Sequence, residues 1–216
     1  MQRQLQSELL DSLPADHPDA LHNRRDLRLV NLVMGNHRWL ARTLPRTGRH
    51  GERVLEIGAG TGELGLRLAA GGNPADGLDL WPRPSGWPAA RVWHRENLLT
   101  FGGYGDYHAI VGNLIFHQFS AEDLAALGSR VRDSVRVILA CEPLRRKFSQ
   151  TLFGLAAPLL GANHVSLHDG RVSIAAGFRG DELPQLLGLD PAAWNWTCRS
   201  TLLGAYRMVA VRRSDL

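Results

Sequence analysis

The sequence predicts an α/β fold: a seven-stranded, mostly parallel sheet with helices on both faces and an antiparallel hairpin at its C-terminal edge. Three observations carry this. From residue 53 onward, short apolar runs alternate with amphipathic stretches, the pattern of strands covered on both sides by crossover helices. The run Val54-Leu55-Glu56-Ile57 passes directly into Gly58-Ala59-Gly60-Thr61-Gly62 and then into a helical segment, a strand–loop–helix unit. The last two strand candidates are separated only by Thr201-Leu202-Leu203-Gly204, too short for a crossover helix, so they pair as a hairpin.

Taken in order, residues 1–20 are polar, carry Pro14 and Pro18, and read as a loosely packed lead-in. Residues 24–41 read as one helix, with Leu27, Val30 and Met34 on a stripe widened by Leu29, Val33 and Leu40. Pro45 to Gly51 is a breaker-rich link. Strands follow at Arg53–Ile57, Ala75–Leu80, Arg91–His94, Tyr107–Gly112 and Val135–Cys141. Helices are expected at Glu63–Ala70, ended by Gly71-Gly72, at Ala121–Val131, with Leu124, Leu127 and Val131 in register, and at Arg146–Leu160. The last presents Phe148, Leu152, Leu155 and Leu159 as a core-facing stripe. Trp194–Ser200 and Ala205–Arg212 form the terminal hairpin. The chain divides into an N-terminal helical segment or lid, residues 1–50, and one domain, residues 51–216.

Hydrophobic residues at 44% and charged residues at 21% are ordinary for a globular protein that buries a full core. No stretch approaches the roughly 18 apolar residues of a membrane span. The first eight residues lack the apolar core of a secretory signal. Two cysteines, Cys141 and Cys198, are too few for a disulfide scaffold or a cysteine zinc cluster and read as reduced core residues. A cytoplasmic protein with no metal is the expectation, and a monomer and a homodimer both stay open. The net charge of +4 comes almost entirely from scattered arginine, Lys147 being the sole lysine. Long basic runs interleaved with aromatics are missing, which argues against a nucleic-acid face.

The glycine loop suits a ligand that lies against bare main chain; the alternative is a plain tight turn. Its spacing, Gly58-x-Gly60-x-Gly62, is not the G-x-G-x-x-G of a dinucleotide site, and no G-x-x-x-x-G-K-[ST] phosphate loop exists. Glu56 stands just ahead of the loop, where a carboxylate repels a diphosphate and favours a ligand carrying positive charge.

On these residues the stretch from about 50 to 212 resembles the class I S-adenosylmethionine (SAM) dependent methyltransferases, whose sheet is Rossmann-like. The resemblance implies that Glu56, Gly58, Ala59, Gly60 and Gly62 wrap the methionine part and ribose of SAM. It implies that Asp79, followed by Leu80, holds the ribose hydroxyls, though Asp79 also fits a helix cap. Asn97 and Leu98 would border the adenine; the family usually has Asp where Asn97 stands. Asn113 would border SAM, and S-adenosylhomocysteine (SAH) would be the product.

Asn113-Leu114-Ile115-Phe116-His117-Gln118-Phe119 departs from the N-P-P-[YF] signature of enzymes that methylate planar amines and is similar to an N-L-x-x-H-x-F pattern of small-molecule methyltransferases. His117 is a candidate general base, since imidazole titrates near neutral pH, or else a capping or core histidine. Glu142 would orient His117, touch substrate, or cap the next helix. Asn36, Trp81, Phe116 and Phe178 are candidate acceptor contacts, with Asn31, Arg38 and Trp87 beside them; residues 161–190 form an insert suited to specificity. More loosely, the chain resembles small bacterial methyltransferases that accompany type III polyketide synthases, on Arg25-Asp26-Leu27, Met34-Gly35-Asn36, the Asn113–Phe119 segment and Gly177-Phe178. That likeness implies a small phenolic or pyrone acceptor, with O-methylation ahead of C-methylation. An RNA or protein methyltransferase and a non-catalytic SAM-binding accessory protein are the rival readings.

Overall fold

The computed structural model describes residues 1–14, 16–47 and 51–213. β1 (Val54–Ile57), β2 (Ala75–Asp79), β3 (Trp93–Arg95), β4 (Ala109–Asn113) and β5 (Val137–Pro143) run parallel. β6 (Trp194–Ser200) and β7 (Ala205–Arg212) form the expected hairpin, and β7 lies antiparallel between β5 and β6. The order across the sheet is β3-β2-β1-β4-β5-β7-β6. Every residue of β1 and β5 is buried, because helices cover both faces of the sheet centre.

Four strands, β1, β3, β4 and β5, begin one or two residues later than the sequence suggests, and two of the delays have a plain cause. Tyr107 follows a 3-10 turn, Gly103–Asp106, and the N–H of Val135 still bonds to Val131 at the end of a helix. Both side chains are buried in the core, so hydrophobicity counted them while the backbone ladder did not. β5 also runs past Cys141, since Glu142 and Pro143 pair with Tyr206 and Ala205 of β7.

The two faces carry separate cores. On one, α2 (Asn36–Thr47) and α3 (Glu63–Ala70) place Leu40, Leu44, Leu64 and Leu68 against Val54, Val111 and Leu139. On the other, α4 (Ala121–Val131) places Leu124, Leu127 and Val131 against Leu55, Ile110 and Ile138. Ser120 and Asp123 close a reciprocal capping box at the start of α4.

The single N-terminal helix expected over residues 24–41 is two. α1 (Pro18–Met34) ends at Gly35, whose φ of 66° is left-handed, and α2 starts at the next residue. Pro45 lies inside the last turn of α2 rather than in a link, and residues 48–50 of that link fall outside the described residues. The lead-in is docked, not loose. Arg3 donates to the carbonyls of Ala176 and Phe119 at 2.8 and 2.6 Å, and the Asp169 carboxylate accepts from the N–H of Leu9 and Leu10 at 2.7 and 3.1 Å. A buried carboxylate meeting two free amides supplies what periodicity cannot signal.

The insert folds into α6 (His164–Ala176) and α7 (Glu182–Leu186). α5 (Lys147–Leu159) packs on α6: the Phe153 ring fills the notch at Gly170. The stripe expected to face the core is therefore outward, with Phe148, Leu152, Leu155 and Leu159 at 59, 42, 67 and 87% exposure.

Gly128 of α4 sits against α7 so closely that an added Cβ would lie 1.9 Å from the carbonyl oxygen of Leu187. Gly128→Ala is expected to lower stability by about 1–3 kcal/mol, the cost of overpacking. Denaturant unfolding reads this directly; an unchanged midpoint would mean that α7 moves away without cost.

Candidate active site

A cavity of about 990 Å³ opens at the C-terminal ends of β1, β2 and β4. Parallel sheets expose loop amides and helix N-termini there, which is where such folds bind ligands. One wall is the glycine loop between β1 and α3. Gly58, Gly60 and Gly62 all have left-handed φ, at 64, 52 and 77°. A Cβ at Gly58 would meet the Ile115 side chain at 2.5 Å, and one at Gly62 would meet the Trp87 ring at 2.8 Å. At Gly60 a Cβ would meet nothing within 4 Å, so bare main chain faces the cavity. Trp87 occupies the groove between Gly62, Gly65 and Gly77. It is a core plug beneath the loop and does not line the cavity, contrary to the expectation of an acceptor contact.

Glu56 lines the cavity floor, 3% exposed, and its Oε2 has no hydrogen-bond partner. Burial pushes its carboxyl up to about 8, with Asp79 adding to the rise and the Gly65 amide opposing it. A carboxylate sealed away in this manner is stabilised by a positive group brought beside it.

Asp79 spans the loop: Oδ2 accepts from the Gly60 N–H at 2.7 Å and Oδ1 from the Trp81 N–H at 2.8 Å. Each oxygen keeps a further acceptor site for a ligand hydroxyl. Leu80, Trp81, Asn97 and Leu98 continue this wall. The guanidinium of Arg24 lies 4.7 Å above the Trp81 ring, joining α1 to it. The Asn97 amide oxygen accepts from the Leu99 N–H at 2.9 Å, so it ties its own turn as well as facing the cavity.

Across the cavity, Asn113 donates to Asn31 Oδ1 at 3.0 Å, while its own Oδ1 is buried without a partner. Asn31 thus joins α1 to the end of β4. Leu114, at a φ of 56°, is the sole non-glycine residue with positive φ among the described residues. That strained turn is held by Glu142, which is fully buried. Its carboxylate accepts from the N–H groups of Ile115, Phe116 and His117 at 2.9, 3.0 and 3.2 Å, and lies 2.7 Å from His117 Nδ1. Of the roles open to Glu142, the structure takes the orienting one: it holds the Asn113–His117 turn and the imidazole, and does not cap α5.

His117 Nε2 points to a second carboxylate, Glu8 Oε1, at 3.4 Å, and Glu8 in turn accepts from Ser173 Oγ at 2.5 Å. Burial alone would push the imidazole pKa down, but Glu142 and Glu8 outweigh it and lift it to about 9. The same contacts hold the Glu8 carboxyl below its ordinary value against its own burial. In this arrangement the ring is an imidazolium at pH 7, so proton acceptance at Nε2 requires Glu8 to move away.

Three expected acceptor contacts do not reach the cavity. Phe116 and Phe178 are fully buried core residues, Phe178 packing against Tyr206 and beneath Arg3. Asn36 is fully buried and donates to Asn31, acting behind it. Arg38 does not line the cavity either, while Trp81 and Asn31 do. Glu8, Ser173 and Asp169 also line it, and nothing in the local sequence pattern marks them.

No protein-family model matches the chain, and no curated protein matches it by sequence. Solved structures do. The plantazolicin methyltransferase BpumL, in complex with a triazolic desmethylPZN analog and SAH, superposes with a TM-score of 0.70 at 10% identity, over 94% of this chain and 93% of that one. Human N-acetylserotonin methyltransferase with SAM gives 0.62 at 12% identity, over 94% of this chain and 61% of that one. Magnesium protoporphyrin IX methyltransferase from Synechocystis PCC 6803 with SAM gives 0.52 at 15% identity, over 89% and 84%. The chain has the class I methyltransferase fold. Within that fold, the seven strands, the glycine loop after β1 and Asp79 at the end of β2 stand in the order read from the sequence.

The protonated His117 ring contributes stability that is fully present below its ordinary pKa of 6.5 and lost as pH rises through about 9. Glu142→Gln removes the stronger partner and is expected to bring the His117 titration midpoint down toward 6.5 and flatten this alkaline loss. Imidazole NMR titration measures the midpoint; one that stays near 9 would show that Glu142 does not hold the charge.

Proposed function

We propose that the protein is a SAM-dependent methyltransferase acting on a small, aromatic or polyketide-like acceptor, with O-methylation ahead of C-methylation. The observation that carries the reading is the unpartnered Glu56 oxygen beneath a glycine loop whose bare face is pinned by Asp79. These residues fit the group. SAM carries a sulfonium and an ammonium for a buried carboxylate, and a ribose diol for the free acceptor sites of Asp79. The glycine loop would hold the methionine part and ribose, Leu80, Asn97 and Leu98 the adenine, and Asn113 the methionine end.

When bound, SAM supplies an electrophilic methyl group for in-line displacement. The chain's own part is placement and water exclusion. Asn31 and Arg24 of α1 cover the cavity, in line with residues 1–50 acting as a lid over a domain of residues 51–216. Glu142 fixes the imidazole through Nδ1, so Nε2 is the atom at which a proton would be taken from an acceptor hydroxyl. That hydroxyl would enter where Glu8 now lies. The far wall is apolar: Leu152, Phe153, Ala156 and Leu160 of the α5 region, with Leu202 and Leu203 of the hairpin tip. A hydrophobic acceptor body against that wall, with its polar end at His117, matches the lining. The similar structures are named as plantazolicin methyltransferase, bound to a triazolic desmethylPZN analog, N-acetylserotonin methyltransferase and magnesium protoporphyrin IX methyltransferase.

Calorimetry with SAM and a panel of phenolic and pyrone acceptors tests the reading. Gly60→Val is expected to abolish SAM binding while the thermal unfolding curve stays cooperative. His117→Ala is expected to keep SAM affinity and cut turnover by roughly 100-fold, the scale of general base catalysis. Undiminished SAM affinity in Gly60→Val would refute the cofactor placement. Tight SAM binding by the wild type with no turnover across the panel would favour a non-catalytic accessory protein.

A further inference from the structure

A carboxylate of the chain itself occupies the place that an acceptor must take. Two donors meet on one oxygen of the largely buried Glu8 side chain: Ser173 Oγ donates to Oε1 at 2.5 Å, and His117 Nε2 lies 3.4 Å from the same atom. Glu142 takes Nδ1 of the ring at 2.7 Å, so only Nε2 is left for a ligand. Glu8, His117 and Ser173 all line the large cavity, with the apolar side chains of Leu10, Phe119 and Ile174 beside them.

Charge decides what kind of acceptor suits that place. The ring faces Glu142 of β5, and Glu8 and Asp11 of the N-terminal segment. Further out, His168 of α6 acts on Glu8, Asp169 of α6 on Asp11, and Arg3 on Glu142. Asp11 is exposed, and Asp169 is already met by the N–H groups of Leu9 and Leu10 and by His168 Nδ1 at 3.0 Å. The buried charges at the centre are therefore one imidazolium and two carboxylates. An incoming carboxylate replaces Glu8 like for like: both donors stay satisfied, the ring keeps its proton, and the buried charge is unchanged. A neutral hydroxyl leaves the ring with one carboxylate fewer, and must lose its own proton to an imidazole whose pKa the closed site lifts to about 9.

We propose that the acceptor is a carboxylic acid, bound as its carboxylate to His117 Nε2 and Ser173 Oγ in place of Glu8 and converted to its methyl ester. This deepens the methyltransferase reading and rests on it. One carboxylate oxygen attacks the methyl carbon; a C–O bond forms, the C–S bond breaks, and its electron pair stays on sulfur. The charge of the acid cancels that of the sulfonium, so a neutral ester and a neutral thioether result and no proton moves. His117 serves here as the donor that positions the acid. Glu8 hangs from a segment anchored by the next two amides, so its side chain can turn aside without undocking that segment.

The test compares naphthoic acid, naphthol and naphthamide, one ring system carrying a carboxylate, a hydroxyl or a neutral amide. Calorimetry on SAH-loaded protein is expected to show naphthoate binding about tenfold or more tighter than the amide, the scale of a charge-assisted contact, and Ser173→Ala should remove most of that preference. Glu8→Ala, which takes away the internal competitor, should tighten naphthoate binding. With methyl-labelled SAM, the label should enter an ester that mild alkali cleaves. The rate should be flat between about pH 6 and 8, where the acid is already ionised, and fall as the ring loses its proton near 9. Equal binding of acid and amide, transfer of label to naphthol alone as an alkali-stable ether, or a rate that climbs between about pH 6 and 8 would each overturn the proposal while the methyltransferase reading stands. A protein that binds neither SAM nor SAH would overturn that reading and this proposal with it, and titration with SAM alone tells the two failures apart.

Discussion

A carboxylate buried with one oxygen unpartnered is the constraint around which the cofactor side of this fold is arranged. Glu56 cannot retreat to water: it sits on a strand buried at every residue, under a helix brought close by Gly65 and a tryptophan wedged among three glycines. A Cβ at Gly65 would lie 2.8 Å from its Oε2, so the small residue is needed to admit the carboxylate at all. The resulting site favours either a proton or an external cation. The glycines serve both sides of this arrangement, giving room for Trp87 beneath the loop and leaving bare main chain above it.

The acceptor side depends on a different carboxylate. Glu142 spends its oxygens on three consecutive backbone amides and one imidazole, which explains how the left-handed Leu114 is tolerated. The turn it fixes then sets the position of His117. The other partner of the ring, Glu8, arrives on the N-terminal segment, whose hold on the body of the protein is the Asp169 carboxylate and the Arg3 contacts. Closure of that segment and the proton affinity of His117 are therefore coupled: the docked segment keeps the ring charged, and release of Glu8 lowers its pKa toward the range of a working base.

What was legible in the sequence followed from local physics. The alternation of apolar runs identified all seven strands, and the four-residue gap after Ser200 foretold the hairpin. Glycines at 58, 60 and 62 marked the loop because few other residues adopt its backbone. Asp79 was singled out through the family resemblance, which expects an acid at the end of the second strand, and it does end β2. Long-range effects were not legible. The α5 stripe reads as a core face by spacing, yet α5 packs on α6 and turns its leucines toward the cavity mouth and solvent. Phe116 and Phe178 are aromatic like pocket residues, but the core takes them. Glu8 lies in a polar segment with no periodicity, 109 residues from the histidine it meets, and only tertiary structure brings them together.

The central claim is that Glu56, protonated when alone, gives up its proton to a cationic ligand. Titration calorimetry with SAM at about pH 6.5, where an ordinary α-amino group is already charged, measures this in buffers of different ionisation enthalpy. The account predicts a net release of protons by the wild-type protein that disappears in Glu56→Gln. SAM binding with no proton release, or with a release that Glu56→Gln leaves unchanged, would contradict it.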